Sequence, residues 1–294
     1  MSIDLQKLLE FEIPTIRQVL DPHAIALYAL SVGLGRDPLD SAQLTYVDPL
    51  QGPKIMPSMV LVMAHPGFWL AHPDSGVDPN AVLHAAQRFQ ILGKLPQAGE
   101  VESRSRVAEV VDKGPGNAAL LRIETELRDE ADRLFALLER TAFIRGGGGF
   151  GGSAGAPSPR PVAPPKAAPD LIVDLDTAPE QALLYRLNGD LNPLHSDPSV
   201  ASKAGFKAPI LHGLCTVGVV THALLKGLVG YRPEAIRSVR LRLSSPVYPG
   251  ETIRTELWRN GHFRAVVPSR GMTIIDDGFA ELDHTHCFQS GGES

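Results

Sequence analysis

Apolar positions recur along the chain with two different periods. In PHAIALYALSVGLG, residues 22–35, they fall at helical spacing and stop at glycines, which predicts a helix. From Val82 onward, LHAAQRFQIL, EVESRSRVAEVVDKG and AALLRIETELRD alternate in part between apolar and polar residues and are bounded by turn residues. Antiparallel strands are expected there, although the last segment also fits an amphipathic helix. In the second half, GLCTVGVVTHALLKGLVGY, residues 213–231, is apolar nearly all round over helical length, the mark of a buried helix. The segments after it, IRSVRLRLSSPVYPGETIRTELWRNG and FRAVVPSRGMTIIDDGFAELDH, alternate like strands. A buried helix followed by such strands implies an α+β chain whose sheet wraps around that helix.

Between the halves lies GGGGFGGSAGAPSPRPVAPPKAAP, residues 146–169, dominated by Gly, Pro, Ala and Ser. Such a stretch buries too little apolar surface to offset its ordering entropy, so it reads as a flexible linker between units 1–145 and 170–294. The units echo one another. LPQAGEVESRSRV around Gly99 and Glu100 resembles VYPGETIRTELW around Gly250 and Glu251, each a Gly-Glu turn leading into an alternating run.

Composition narrows the classes of function. The 294 residues are 43% hydrophobic and 21% charged, enough apolar material for a sizeable core. A net charge of -5 with no Lys/Arg block argues against a nucleic-acid partner. Cys215 and Cys287 are too few for a disulfide framework and lack zinc-site spacing, which fits a reducing, cytoplasmic setting. The N-terminus does not read as a secretory signal, no apolar run reaches the roughly 20 residues of a membrane span, and GGES at the C-terminus is no recognisable address.

The segment YRLNGDLNPLH, residues 185–195, gathers Asp190, Asn192 and His195 where Gly189 and Pro193 forbid one continuous helix. A carboxylate and an imidazole can each give or take a proton, and an amide can fix a carboxylate or a water. The same residue types also build ordinary turns, and SDPS, residues 196–199, has the form of a helix cap. Metal binding is disfavoured because no third ligand is evident beside the Asp and the His. In APILHGL, residues 208–214, Gly213 stands where the buried helix begins. Its N–H has no intrahelical partner and could hold a developing oxyanion, or the glycine could be a simple N-cap. His212 could act as a base, a structural or hydrogen-bonding role being favoured, and His222 inside the helix is expected in the core with a satisfied ring.

The stretch YRLNGDLNPLHSDPSVASKAGFKAPILHGLCTVG resembles the hydratase 2 signature of the MaoC-like, (R)-specific enoyl-CoA hydratases. VLHAAQRFQILGKLPQAGEVESRSRVAEVVDKGPG and FIRGGGGFGG resemble the N-terminal portion of the eukaryotic type of that family. The resemblance implies two hot-dog repeats over nearly the whole chain, each an antiparallel sheet around a central helix. The second repeat carries the catalytic loop and the first, which has no GDxNPxH, serves acyl binding. Two departures stand out: Asn188 where serine is common, and Ala85–Ala86 where a Gly-Glu pair is common, which alters the expected lining of the acyl pocket.

The implied reaction is reversible syn addition of water to a trans-2-enoyl-CoA, giving a (3R)-3-hydroxyacyl-CoA. Asp190 and His195 would hold the water and move its proton, Asn192 would orient the water, and the Gly213 N–H would bind the thioester oxygen. Pro209, Ile210, Leu211 and His212 are expected to touch substrate. Neither metal nor redox cofactor is required, since CoA belongs to the substrate. No membrane partner is expected, and a homodimer is compatible with the fold. The alternatives are a non-catalytic acyl-CoA or acyl-carrier binding module, a dehydratase, a thioesterase, or a hydratase for bulky acyl groups shaped by Ala85, Ala86 and the apolar run MPSMVLVMAHPGFWL from Met56.

Overall fold

The computed structural model describes residues 3–152, 154–155 and 164–283; Cys287, the C-terminal GGES and part of the expected linker lie outside the described residues. The first half runs α1 (Leu5–Glu10), β1 (Ile16–Leu20), α2 (Pro22–Ser31), α3 (Ser41–Val47), β2 (Val82–Ile91), β3 (Gly99–Asp112), β4 (Ala119–Asp129) and β5 (Leu134–Ile144). A two-residue strand, β6 (Ala154–Gly155), follows. The second half runs β7 (Leu171–Asp176), α4 (Gln181–Tyr185), α5 (Pro198–Lys203), α6 (Gly213–Leu228), β8 (Ile236–Leu243), β9 (Thr252–Leu257), β10 (His262–Val267) and β11 (Met272–Leu282).

One antiparallel sheet joins everything, in the order β1-β3-β4-β5-β2-β8-β11-β10-β9-β7, with β6 against β3. Outward from the central β2–β8 pair, the two halves use their strands in the same sequence, so the second half repeats the topology of the first. The Gly-Glu echo sits at matching places, the entries to β3 and β9, where Gly99 (φ +95°) and Gly250 (φ +90°) take left-handed conformations that glycine tolerates.

The elements form for local reasons. Asp21 Oδ1 accepts from the Ala24 N–H (2.9 Å) and Pro22 opens α2, the pre-organised start of a helix. AALLRIETELRD is strand β4, paired on both edges with β3 and β5. Its apolar residues satisfy both periods, and pairing on two sides settles the choice. Helix α6 is buried along Cys215–Leu225 and shares its core with α2 and with Met56, Met59, Val60, Leu61 and Met63. Most of that apolar run is therefore core, folded around a short 3-10 turn at Pro57–Leu61, while Met59 and Met63 also border a small pocket beside Gly189 and the end of the run, His65, Gly67 and Phe68, lines the cavity over Asp190. His222 lies in the core of α6 with Nε2 3.1 Å from the Tyr231 hydroxyl.

Of the stretch read as a linker, Gly147 and Gly148 are buried. The Asp112 carboxylate accepts hydrogen bonds from the N–H groups of Gly114, Gly149 and Gly151 (2.7, 2.8 and 2.9 Å). These contacts hold that carboxyl down to about 2 and fix the glycine-rich loop onto β3. The loop is thus an ordered part of the first half, and Trp258 Nε1 anchors the far end through the Ala167 carbonyl (3.1 Å).

Candidate active site

The loop between α4 and α5 is shaped by two side chains that sequence reasoning assigned to chemistry or to variation. Asn188 donates to Ser31 Oγ (2.9 Å) and to the Tyr185 carbonyl (2.8 Å), tying the loop to the end of α2 in the other half. Gly189 then turns the chain at φ +112° with open space around it, so its glycine serves the backbone conformation. The Asn192 N–H donates to Asp190 Oδ1 (3.2 Å), and Asn192 Oδ1 accepts from the Leu194 N–H (3.0 Å), capping the turn Pro193–His195. Asn192 thereby positions Asp190 through its backbone, and its amide oxygen is occupied by the loop.

His195 is buried, 8% exposed, with Nδ1 2.9 Å from the Ile210 carbonyl. A carbonyl oxygen accepts, so Nδ1 carries the hydrogen and Nε2 keeps its lone pair. Burial lowers the pKa of His195 against the opposing pull of Ile210 and Asp190, so the ring is neutral at pH 7. Burial pushes the Asp190 carboxyl up, but His212, the Asn192 N–H, His195 and His65 together outweigh it and hold Asp190 below its ordinary value. The resting pair is therefore a carboxylate and a neutral imidazole, both proton acceptors.

His212 donates from Nε2 to the Asp190 carbonyl (3.2 Å) and stacks on His195, ring centroids 3.7 Å apart and planes 29° apart. Burial, then His195, lowers its pKa to about 4. Donor atoms of Asp190, His195 and His212 lie within 4.8 Å of one another, so His212 supplies the third ligand type that the sequence did not reveal. The stacked rings argue against a shared metal, because lone pairs in near-parallel planes do not converge on one ion. No hydrogen bond joins the Asp190 carboxylate to His195 among the described residues, although ligand atoms of the two lie within that 4.8 Å.

Helix α6 begins at Gly213 beside this pair, and its first intrahelical acceptor, the His212 carbonyl, serves Thr216. The Gly213 N–H is thus open to the cavity. A Cβ placed there would stand 3.0 Å from Leu243 Cδ1 and 3.5 Å from His84 Nδ1. His84 Nε2 lies 3.1 Å from the Ala86 carbonyl, which again assigns the hydrogen to Nε2 and a free lone pair to Nδ1. Burial, then Arg140, lowers the pKa of His84 to about 3, and the same two causes in the same order lower His65 to about 4.

A cavity of about 1740 Å³ opens over these groups and is lined from both halves. Asp190, Asn192, His195 and Gly213 border it, as do Ile210 and Leu211. Pro209 and His212, expected to touch substrate, are not among its lining residues; His212 stands behind the loop as its support. Ala85 and Ala86 do line it, together with His65, His84 and Arg140 of the first half. Those last three carried no signal in the sequence, since each is a single polar residue in an apolar or alternating run.

Fold and site define a double hot-dog protein with one Asp/His pair facing a helix N-terminus. Comparison with known proteins agrees. Residues 20–146 match the MFE-2 hydratase 2 N-terminal domain and residues 161–273 the MaoC like domain. The chain is 37% identical to enoyl-CoA hydratase ChsH3 of Mycobacterium tuberculosis, over 95% of this chain and 98% of that protein. It is 35% identical to a probable enoyl-CoA hydratase 2 of Dictyostelium discoideum, covering 96% of this chain and 98% of the other. Among solved structures, a MaoC-like dehydratase from Phytophthora capsici superposes with a TM-score of 0.82 at 32% identity, covering 96% of this chain and 99% of that one. The chain belongs to the MaoC-like hydratase 2 family.

Proposed function

We propose that the protein is an (R)-specific 2-enoyl-CoA hydratase. The observation that carries this reading is the Asp190 carboxylate and the His195 Nε2 lone pair facing one cavity beside the unpaired Gly213 N–H. The thioester oxygen would accept from Gly213 N–H, where the α6 dipole favours the negative charge of the enolate. One water would sit between Asp190 and His195, each accepting one of its hydrogens. As its oxygen bonds to C3, His195 Nε2 takes a proton and the C2=C3 electrons move to the thioester oxygen. The imidazolium, stabilised by Asp190, then returns that proton to C2 as the enolate collapses, so one water is consumed and both partners end as they began. Because both resting groups are acceptors, one proton travels; no acid is held in reserve. Delivery of oxygen and proton from the same side makes the addition syn.

The relatives named as enoyl-CoA hydratases support the substrate class. No described helix is long and apolar enough to cross a membrane. The test is chiral analysis of the product formed from trans-2-enoyl-CoAs. A (3R)-3-hydroxyacyl-CoA supports the reading. Release of free CoA thiol would make the protein a thioesterase, and tight binding without turnover would make it a binding module.

A further inference from the structure

Arg140 stands out in the wall of the cavity. It lies on β5, opposite Gln87 of β2, and borders the same space as Asp190. Its Nε is buried without a hydrogen-bond partner, and among the described residues its guanidinium makes no hydrogen bond or ion pair. Arg122 on the neighbouring β4 behaves differently, engaging Glu109, Glu124 and Glu139. The charged and titratable groups that interact electrostatically with Arg140 are Asp190, His65 and His84, and the two histidines are neutral at pH 7. On the adjoining strand Ala85 and Ala86 face the cavity with nothing larger than a methyl group. A guanidinium stays charged, and a buried one left without hydrogen-bond acceptors is costly, so the site is built for an acceptor that arrives with the ligand.

We propose that Arg140 forms a subsite for a carboxylate on the acyl group, making the preferred substrate an enoyl-CoA that bears a carboxylate a few carbons beyond C3. The inference rests on the hydratase reading and adds the substrate class. Arg140 and Asp190 border one cavity and interact electrostatically, and the proposal assigns the subsite to the acyl side of the reacting carbons. The phosphates of CoA hang at the far end of the pantetheine arm and are common to every acyl-CoA, so they cancel in the comparison below. A planar guanidinium can grip a carboxylate through two parallel hydrogen bonds, and without that grip the anion would be repelled by Asp190.

The test compares trans-2-enoyl-CoAs of five, six and eight carbons with their ω-carboxylate counterparts, read as the ratio of kcat/KM for the charged over the neutral acyl group. In the unaltered protein the ratio should exceed one and peak at one chain length. In Arg140→Leu it should fall on the order of 100-fold at that length, and Arg140→Lys should recover part of the loss. A ratio at or below one at every length, or one unchanged in Arg140→Leu, overturns the subsite. If neither series is hydrated, the hydratase reading fails separately. Calorimetric Kd values for the same pairs, in the unaltered protein and in Arg140→Gln, then decide the subsite by the same ratio.

Discussion

Asp190→Asn and His195→Gln each remove one proton-accepting atom while keeping size and much of the hydrogen bonding, so each should lower kcat by about 10³-fold or more with an unchanged circular dichroism spectrum. The pH profile follows from the same two groups. Burial depresses the His195 pKa, so its lone pair is present above the ordinary histidine value of 6.5 and is lost as pH falls below it. The kcat/KM of the unaltered protein should therefore be level through neutrality and decline on the acid side, below pH 6.5; a decline beginning above pH 7 would contradict the assigned state of the pair. Asp190, Asn192 and His195 were legible because the loop that joins them is short and stiff. The support from His212, and the approach of His65, His84 and Arg140, were not, because packing brings them in from a helix cap, a buried run and two strands of the other half. Asn192 shows the limit within the loop itself: its residue type was readable, whereas the hydrogen bond its amide oxygen accepts from the Leu194 N–H was not.

Helices α2 and α6 meet at Gly218, where an added Cβ would clash with Val32 Cγ1 and stand 3.1 Å from the Tyr28 hydroxyl. The helices pack this closely because the position has no side chain. Gly218→Ala should therefore destabilise the fold by about 1–3 kcal/mol, through overpacking that exceeds the gain in helix propensity. Gly218→Leu should prevent folding. Urea denaturation measures the first, and soluble yield the second; an alanine variant as stable as the original would show that α2 can retreat at no cost. The sequence marked both helices through their periods and end signals, but nothing along it marked where they touch. The same holds for β4, whose apolar residues fit a helix as well as a strand until β3 and β5 pair with it.

The β2–β8 ladder, Ala86↔Arg242 to Gln90↔Ser238, makes the two halves one continuous sheet, and Asn188 and Gln181 bind the second half to the end of α2. Residues 1–152 and 164–294 produced together as separate chains should therefore co-elute as one species and hydrate substrate. Either piece alone should be inactive, because the cavity draws its walls from both. Co-expression without association would mean that covalent continuity, and not the shared sheet, holds the molecule together. Two repeats were legible from the Gly-Glu echo and from the resemblance. That they share one sheet was not, since the pairing of β2 with β8 connects strands far apart in the chain.

The central claim is that Asp190 and His195 add water to an enoyl thioester. Its most direct test is the initial rate of loss of enoyl-thioester absorbance with a trans-2-enoyl-CoA, measured side by side for the unaltered protein, Asp190→Asn and His195→Gln. The predicted result is rapid loss with the unaltered protein and near-baseline rates with both variants. Rates that survive in either folded variant would contradict the account.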